Sequence, residues 1–216
     1  MRIPASLLRL AGRILAPLSQ LLLRYADVED PWERQNRAIA PSWFGRGSHR
    51  DFRWYFEGES GVRAASVDDI CAWLLECTYL TDPALFNEAD YWQHPQTFEQ
   101  LRRGDCEDHA LWAWRKLAEL GIDAELVSGQ RIVSAGESHS HAWVLFREGG
   151  VEFVLEAVSR SREVMVMPAA DVRMNYRPHV GVNARFETTV FGGLLLTMQE
   201  KRQRTSRRID QQPSFG

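Results

Sequence analysis

The sequence predicts an α+β domain in which one amphipathic helix packs on an antiparallel sheet, and three observations carry that expectation. Apolar residues recur at helical spacing up to Gly121 and in strand-like runs after it. Helices first and strands second is the order of segregated α+β layers, and Glu148-Gly149-Gly150 between two strand candidates is a hairpin signal. With 216 residues, 44% of them hydrophobic, the chain can bury one sizeable core.

Met1 to Tyr25 carries Leu7, Leu8, Leu10, Ile14, Leu15, Leu18, Leu21 and Leu22, broken by Arg9, Arg13 and Arg24. The apolar stretches are too short to span a bilayer, and the arginines interrupt what a secretory signal needs unbroken. An amphipathic cationic helix is expected, limited by Pro4 and bent or split at Pro17. It either packs on the domain or another subunit, the reading favoured here, or lies on an anionic membrane surface. Asp27 to Gly61, rich in Trp, Arg and Gly with Pro31 and Pro41, has no sustained period and reads as an irregular connector. Residues 1–60 are thus set apart from a domain over 61–198.

Within that domain, Ser66 followed by Asp68 and Asp69 forms an N-cap with acids in the first turn, opening a helix through Ile70, Trp73, Leu74 and Cys77. Tyr91 to Pro95 reads as a loop and Thr97 to Arg102 as a short helical turn ended by Gly104. Asp105 is placed to cap the next helix, Cys106 to about Leu120, with Ala110, Leu111, Trp114, Leu117 and Ala118 inward and Gly121 as its stop. Ala124–Val133, His139–Arg147 and Val151–Ala157 have strand composition, and further strand candidates lie between Val164 and Val190. Residues 199–216, with Lys201, Arg202, Arg204, Arg207 and Arg208, read as a basic disordered tail.

A formal net charge of −3 gives no reason to expect a nucleic-acid partner. Three cysteines, two of them (Cys71 and Cys77) within one helical pattern, do not make a disulfide framework, which suits a reducing compartment.

Chemistry concentrates in Gly104-Asp105-Cys106-Glu107-Asp108-His109 and in His-Ala-Trp at residues 141–143. A cysteine in a helix's first turn sits among unpaired backbone N–H groups that favour the thiolate and can hold an oxyanion. Three adjacent carboxylates oppose that effect, so a compensating positive charge is required. His141 supplies one if its strand faces the helix start, but alternation puts His139 on the same face and spacing does not separate the two. Glu156, near the end of the next strand, orients the imidazole if register brings it alongside, and is otherwise an exposed acid at a strand end.

Taken together, Tyr91-Trp92-x-x-Pro95, Gly104-Asp105-Cys106-Glu107-Asp108, Leu120-Gly121 and His141-Ala142-Trp143-Val144 resemble the bacterial transglutaminase-like cysteine proteinases over Tyr91 to Ser159. The resemblance implies a transglutaminase-like, papain-type domain with Cys106 as nucleophile and His141, rather than His139, as its base. The family's third member is usually an aspartate. Here Glu156 stands in its place, and its extra methylene changes the reach. The resemblance also implies a Ca²⁺ site from Asp105, Glu107 and Asp108, whose hard oxygens suit that ion, whereas zinc would consume the nucleophile. Trp92 and Gln93, just upstream, are candidates to line the acyl site or donate to an oxyanion.

The function expected is hydrolysis of peptide or amide bonds in a protein or peptide substrate by a Cys-His-Glu triad, calcium-dependent and without an organic cofactor. Glutamine acyl transfer and a non-catalytic binding module on the same fold are the alternatives. A cytoplasmic location is expected; membrane-surface contact through residues 1–25 and, because of calcium, a periplasmic location are the alternatives.

Overall fold

In the computed structural model the described residues are 28–134 and 136–210, with 204–210 described in backbone only. The amphipathic helix expected over residues 1–25 and the last residues of the expected tail, 211–216, lie outside them. The elements that position the site are, in chain order, β1 (Arg34–Asn36), α1 (Val67–Leu75), β2 (Thr78–Tyr79), α2 (Asp82–Leu85), α3 (Pro95–Leu101), β3 (Arg103–Gly104), α4 (Cys106–Glu119), β4 (Asp123–Ser134), β5 (Glu137–Glu148), β6 (Val151–Leu155), β7 (Val166–Pro168), α5 (Ala169–Val172), β8 (Tyr176–Asn183), β9 (Thr188–Phe191) and α6 (Gly192–Asp210).

The fold is α+β, as expected. Seven strands form one sheet in the order β1-β9-β8-β4-β5-β6-β7, every pairing antiparallel. β2 and β3 make a separate two-stranded parallel pair. Alternation along β5 turns Ala142, Val144 and Phe146 into one core with Leu111, Trp114 and Leu117 of α4. Trp143 and Leu145 face the other side, packed with Trp32, Val127 and Tyr176.

Local chemistry explains the ends of the helices. Ser66 Oγ accepts from the Asp69 N–H at 3.1 Å and starts α1. His94 starts α3: its Nδ1 accepts from the Gln96 N–H at 3.2 Å, and its Nε2 lies 3.0 Å from the Trp54 carbonyl. Gly104 does not end that helix. Arg102 takes the left-handed turn at φ 49°, and Gly104 goes into β3, where Asp108 and Gln93 crowd it. Asp105 occupies the N-cap position of α4 but makes no capping bond, because its carboxylate is turned into an acid cluster described below. The Gly149-Gly150 turn between β5 and β6 has φ of 58° and 81°, the paired left-handed geometry of a two-residue hairpin.

The connector after residue 27 has more structure than its composition suggests. Buried Arg115 donates from Nη1 and Nη2 to the carbonyls of Tyr55, Glu57 and Gly58, and buried Lys116 donates to the Val62 carbonyl at 2.6 Å. Two charged residues of α4 thereby fasten residues 55–62 across the helix. Residues 199–210, expected as disordered, instead continue α6, and Arg177 of β8 pairs with Glu200 at 2.9 Å on its way. No helix among the described residues is long and apolar enough to cross a membrane.

Gly129 stands opposite His141 in the β4–β5 register. A Cβ there would collide with the Arg177 carbonyl oxygen and come within 2.9 Å of the Trp143 ring. Because the first obstacle is backbone, Gly129→Ala should lower stability by about 1–3 kcal/mol in urea unfolding.

Candidate active site

Cys106 is the first residue of α4, so its thiol sits where the helix leaves backbone N–H groups unpaired. It is half-buried, whereas Cys71 and Cys77 are buried in the core. Ala142 of β5, the neighbour of His141, lines the same cleft as the thiol, and its backbone N–H favours the thiolate. The thiol also donates to Glu107 Oε2 at 3.2 Å. Burial first, then the charges of Glu107 and Asp105, pushes the thiol pKa well up. The carboxylates thus act on the sulfur as expected from the sequence.

The two histidines that spacing left open differ sharply in surroundings. The His139 side chain is 65% exposed and has Glu137 at 3.5 Å. The His141 side chain is 10% exposed, and its Nε2 lies 2.9 Å from both oxygens of Glu156. That contact leaves Nδ1 as the ring's other nitrogen. Trp143 lies nearly parallel to the imidazole at 6.1 Å.

Glu156 is buried and follows directly on β6, its N–H held by the Met165 carbonyl at 2.7 Å. The Tyr176 hydroxyl donates to its Oε2 at 2.7 Å, and Arg131 Nη1 stands 3.6 Å away. Burial pushes this carboxyl up, but His141, Tyr176 and Arg131 together outweigh it and hold the group below the usual glutamate range. Tyr176 and Arg131 come from β8 and β4, and nothing local in the sequence marks either.

A cleft of about 520 Å³ is lined by Cys106, His141, Ala142, Gly129 and Trp92 together with acidic residues. Thiol and imidazole reach it from different faces because β6 pairs with β5 only over Val144–Glu148, and the cleft wraps round the free edge beyond. Trp92 lines this cleft, with its Nε1 donating to Asp90 Oδ1 at 3.1 Å and so not free for an oxyanion. Gln93 does not. It is fully buried, its side-chain amide donates to Asp108 Oδ2 and to the Arg103 carbonyl, and it has no donor left for an oxyanion.

Asp105 and Glu107 share their cluster with two acids that sequence spacing did not suggest, Asp82 and Asp90. Oxygens of Asp82, Asp90 and Glu107 lie within 4.8 Å of one another, as do those of Asp82, Asp105 and Asp108. Asp108 is drawn aside, because both its oxygens accept from Gln93. Asp82 Oδ1 and Asp105 Oδ1 are buried without a hydrogen-bond partner. Burial, followed by the charges of Asp105 and Asp90, raises Asp82 to about 6, and Glu107 and Asp105 are raised as well. Converging carboxylates with orphaned oxygens fit a hard divalent cation such as Ca²⁺.

Residues 90–177 match the family described as the CEP76 peptidase-like domain, a span that includes Asp90, Cys106, His141, Glu156 and Tyr176. This agrees with the resemblance to cysteine proteinases carried by the motifs. Among solved structures, the chain is similar to calcium-bound LapG of Legionella pneumophila, at 19% identity and a TM-score of 0.46 over 58% of this chain and 67% of that one. It is similar also to EGTA-treated LapG of the same organism, at 20% identity and 0.45 over 58% and 65%. No curated protein matches the sequence.

Removing the Tyr176 hydroxyl takes a charge-assisted bond from a buried carboxylate. Tyr176→Phe should therefore cost about 1.5–3 kcal/mol in urea unfolding.

Proposed function

We propose that this chain is a cysteine peptidase that hydrolyses peptide or amide bonds with Cys106 as nucleophile, His141 as acid and base, and Glu156 as the group that orients the imidazole. The observation that carries this reading is the bidentate His141–Glu156 pair on a cleft that Cys106 also lines.

The Cys106 proton passes to His141 Nδ1, and the thiolate attacks the scissile carbonyl carbon. Backbone N–H groups of the first turn of α4 hold the resulting oxyanion. The carbon–nitrogen bond breaks as His141 returns the proton to the departing amine, leaving a thioester on Cys106. Water, deprotonated by His141, then releases the acid and restores the thiol. Throughout, Glu156 keeps Nε2 occupied, so Nδ1 faces the reaction.

Asp82, Asp90, Asp105 and Glu107 would hold Ca²⁺, which when bound cancels the negative charge that opposes thiolate formation. In the native protein, iodoacetamide should label Cys106 while the buried Cys71 and Cys77 stay unmodified, and labelling should be faster in calcium than in EGTA. Asp90→Asn should shrink that difference, together with the calcium-induced rise in melting temperature. Equal reactivity of the three cysteines would overturn the nucleophile assignment.

For the orienting acid, Glu156→Ala should lower peptide hydrolysis by about 10²–10⁴-fold, measured as kcat. Glu156→Asp should keep a substantial part of it, because an ionised carboxylate remains on the His141 side to orient the imidazole.

A further inference from the structure

The β5–β6 hairpin closes across Gly149-Gly150 on Glu148 opposite Val151. A two-residue hairpin closes on a pair that exchanges both backbone hydrogen bonds, and such pairs recur at every second residue. Glu148, Phe146 and Val144 therefore turn their N–H and C=O groups toward β6. Beyond the Val144–Leu155 pair the same series continues as Ala142, Ser140 and Ser138, with no described strand beside them. Ala142 lies in the cleft with Cys106, and its backbone N–H favours the thiolate, which agrees with the same parity. Exposed Ser140 offers a backbone N–H and C=O at the free edge.

Two hollows meet at that edge. One is the cleft on the α4 side that contains Cys106 and Ala142. The other, of about 840 Å³, opens on the opposite face beside His141 and Glu156 and is walled by Val133, Val158, Val164 and Met167. Tyr79, Ser140 and His141 line both. Val133 and Val164 are 60% and 48% exposed, apolar surface left open next to the proposed chemistry.

An extended chain laid along a sheet edge sends successive side chains to opposite faces. We propose that the substrate binds as a strand added to the edge of β5 at Ser140, with alternate side chains falling into the two hollows, so that the valine-lined hollow selects an apolar side chain at one fixed position near the cleaved bond. This rests on the peptidase reading above. Its occupant is a polypeptide segment free to extend, because a helix presents no backbone groups to an edge.

The test uses the full chain in calcium with a degenerate peptide library, reading cleavage sites by mass spectrometry. Wild type should cut next to an apolar residue at one fixed position, and Cys106→Ala should not cut. Val164→Asp should lose that preference, cutting the apolar peptides about tenfold more slowly as a charge enters the hollow. An N-methyl scan of the best peptide, on wild type alone, should lower cleavage about tenfold at alternate amides, as the loss of one backbone hydrogen bond demands. Cys106-dependent cleavage with no alternation in the scan, or with the preference intact in Val164→Asp, would overturn the added strand and leave the peptidase standing. If no peptide is cut in a Cys106-dependent way, the peptidase reading falls and this one with it.

Discussion

Strand β5 runs to Glu137, while its neighbour β6 keeps pace with it only as far as Val144, and this difference in length governs the rest of the site. Were β6 longer by one hairpin turn, its backbone would lie beside Ala142, where the cleft now brings strand and Cys106 thiol together. Because it stops, the N-terminus of α4 comes up to the strand, and the imidazole of the preceding residue opens on the same cleft from the other face. Glu156 can reach that imidazole because it is the residue on which the chain leaves the sheet. A residue earlier, Leu155 is committed to the pairing and to the core.

Charge is handled in opposite ways on the two sides of this edge. Around Glu156 a buried carboxylate is surrounded by donors and a guanidinium, and its ionised form is favoured despite burial. Around Cys106 the carboxylates face one another, and burial and mutual repulsion push Asp82, Asp105 and Glu107 toward the neutral form. A thiol beside them is pushed the same way. The first arrangement holds its charge with groups of the chain itself, whereas the second sheds its charge by protonation or by a bound cation. On the calcium reading proposed above, a cation there would act on the thiol without touching the imidazole's own support.

The sequence made the local half of this legible. A helix start at Cys106, the Gly149-Gly150 hairpin and the alternation through His141 are written in neighbouring residues. Glu156 could be reached by counting along a strand from a hairpin. What lies outside such counting was missed. Tyr176 and Arg131 meet Glu156 only because β8 and β4 are sheet neighbours, and Asp82 and Asp90 join the acid cluster from the segment around α2. Gln93 is suggested for the chemistry by its proximity to Trp92 in sequence, but its donors are taken in the interior by Asp108 and the Arg103 carbonyl. The end of α3 misled for a related reason: a glycine is the usual stop, but Gly104 was needed where Asp108 leaves no room for a Cβ, and Arg102 took the left-handed turn instead.

An unpaired strand edge is ordinarily a hazard, since it templates pairing with any other exposed strand. Here the edge borders the apolar hollow. The chain beyond Glu156 curls past it, and two arginines anchor that passage: Arg160 donates to the Cys77 carbonyl, and Arg162 pairs with Asp68 at the start of α1. Val158, Ser159 and Val164 of this anchored segment form the far wall of the apolar hollow. On the proposal that substrate adds to this edge at Ser140, the incoming chain would lie beside that anchored segment, and the edge's backbone groups would be met by a segment already extended and detached from other secondary structure, the state in which a peptide bond lies open to a nucleophile.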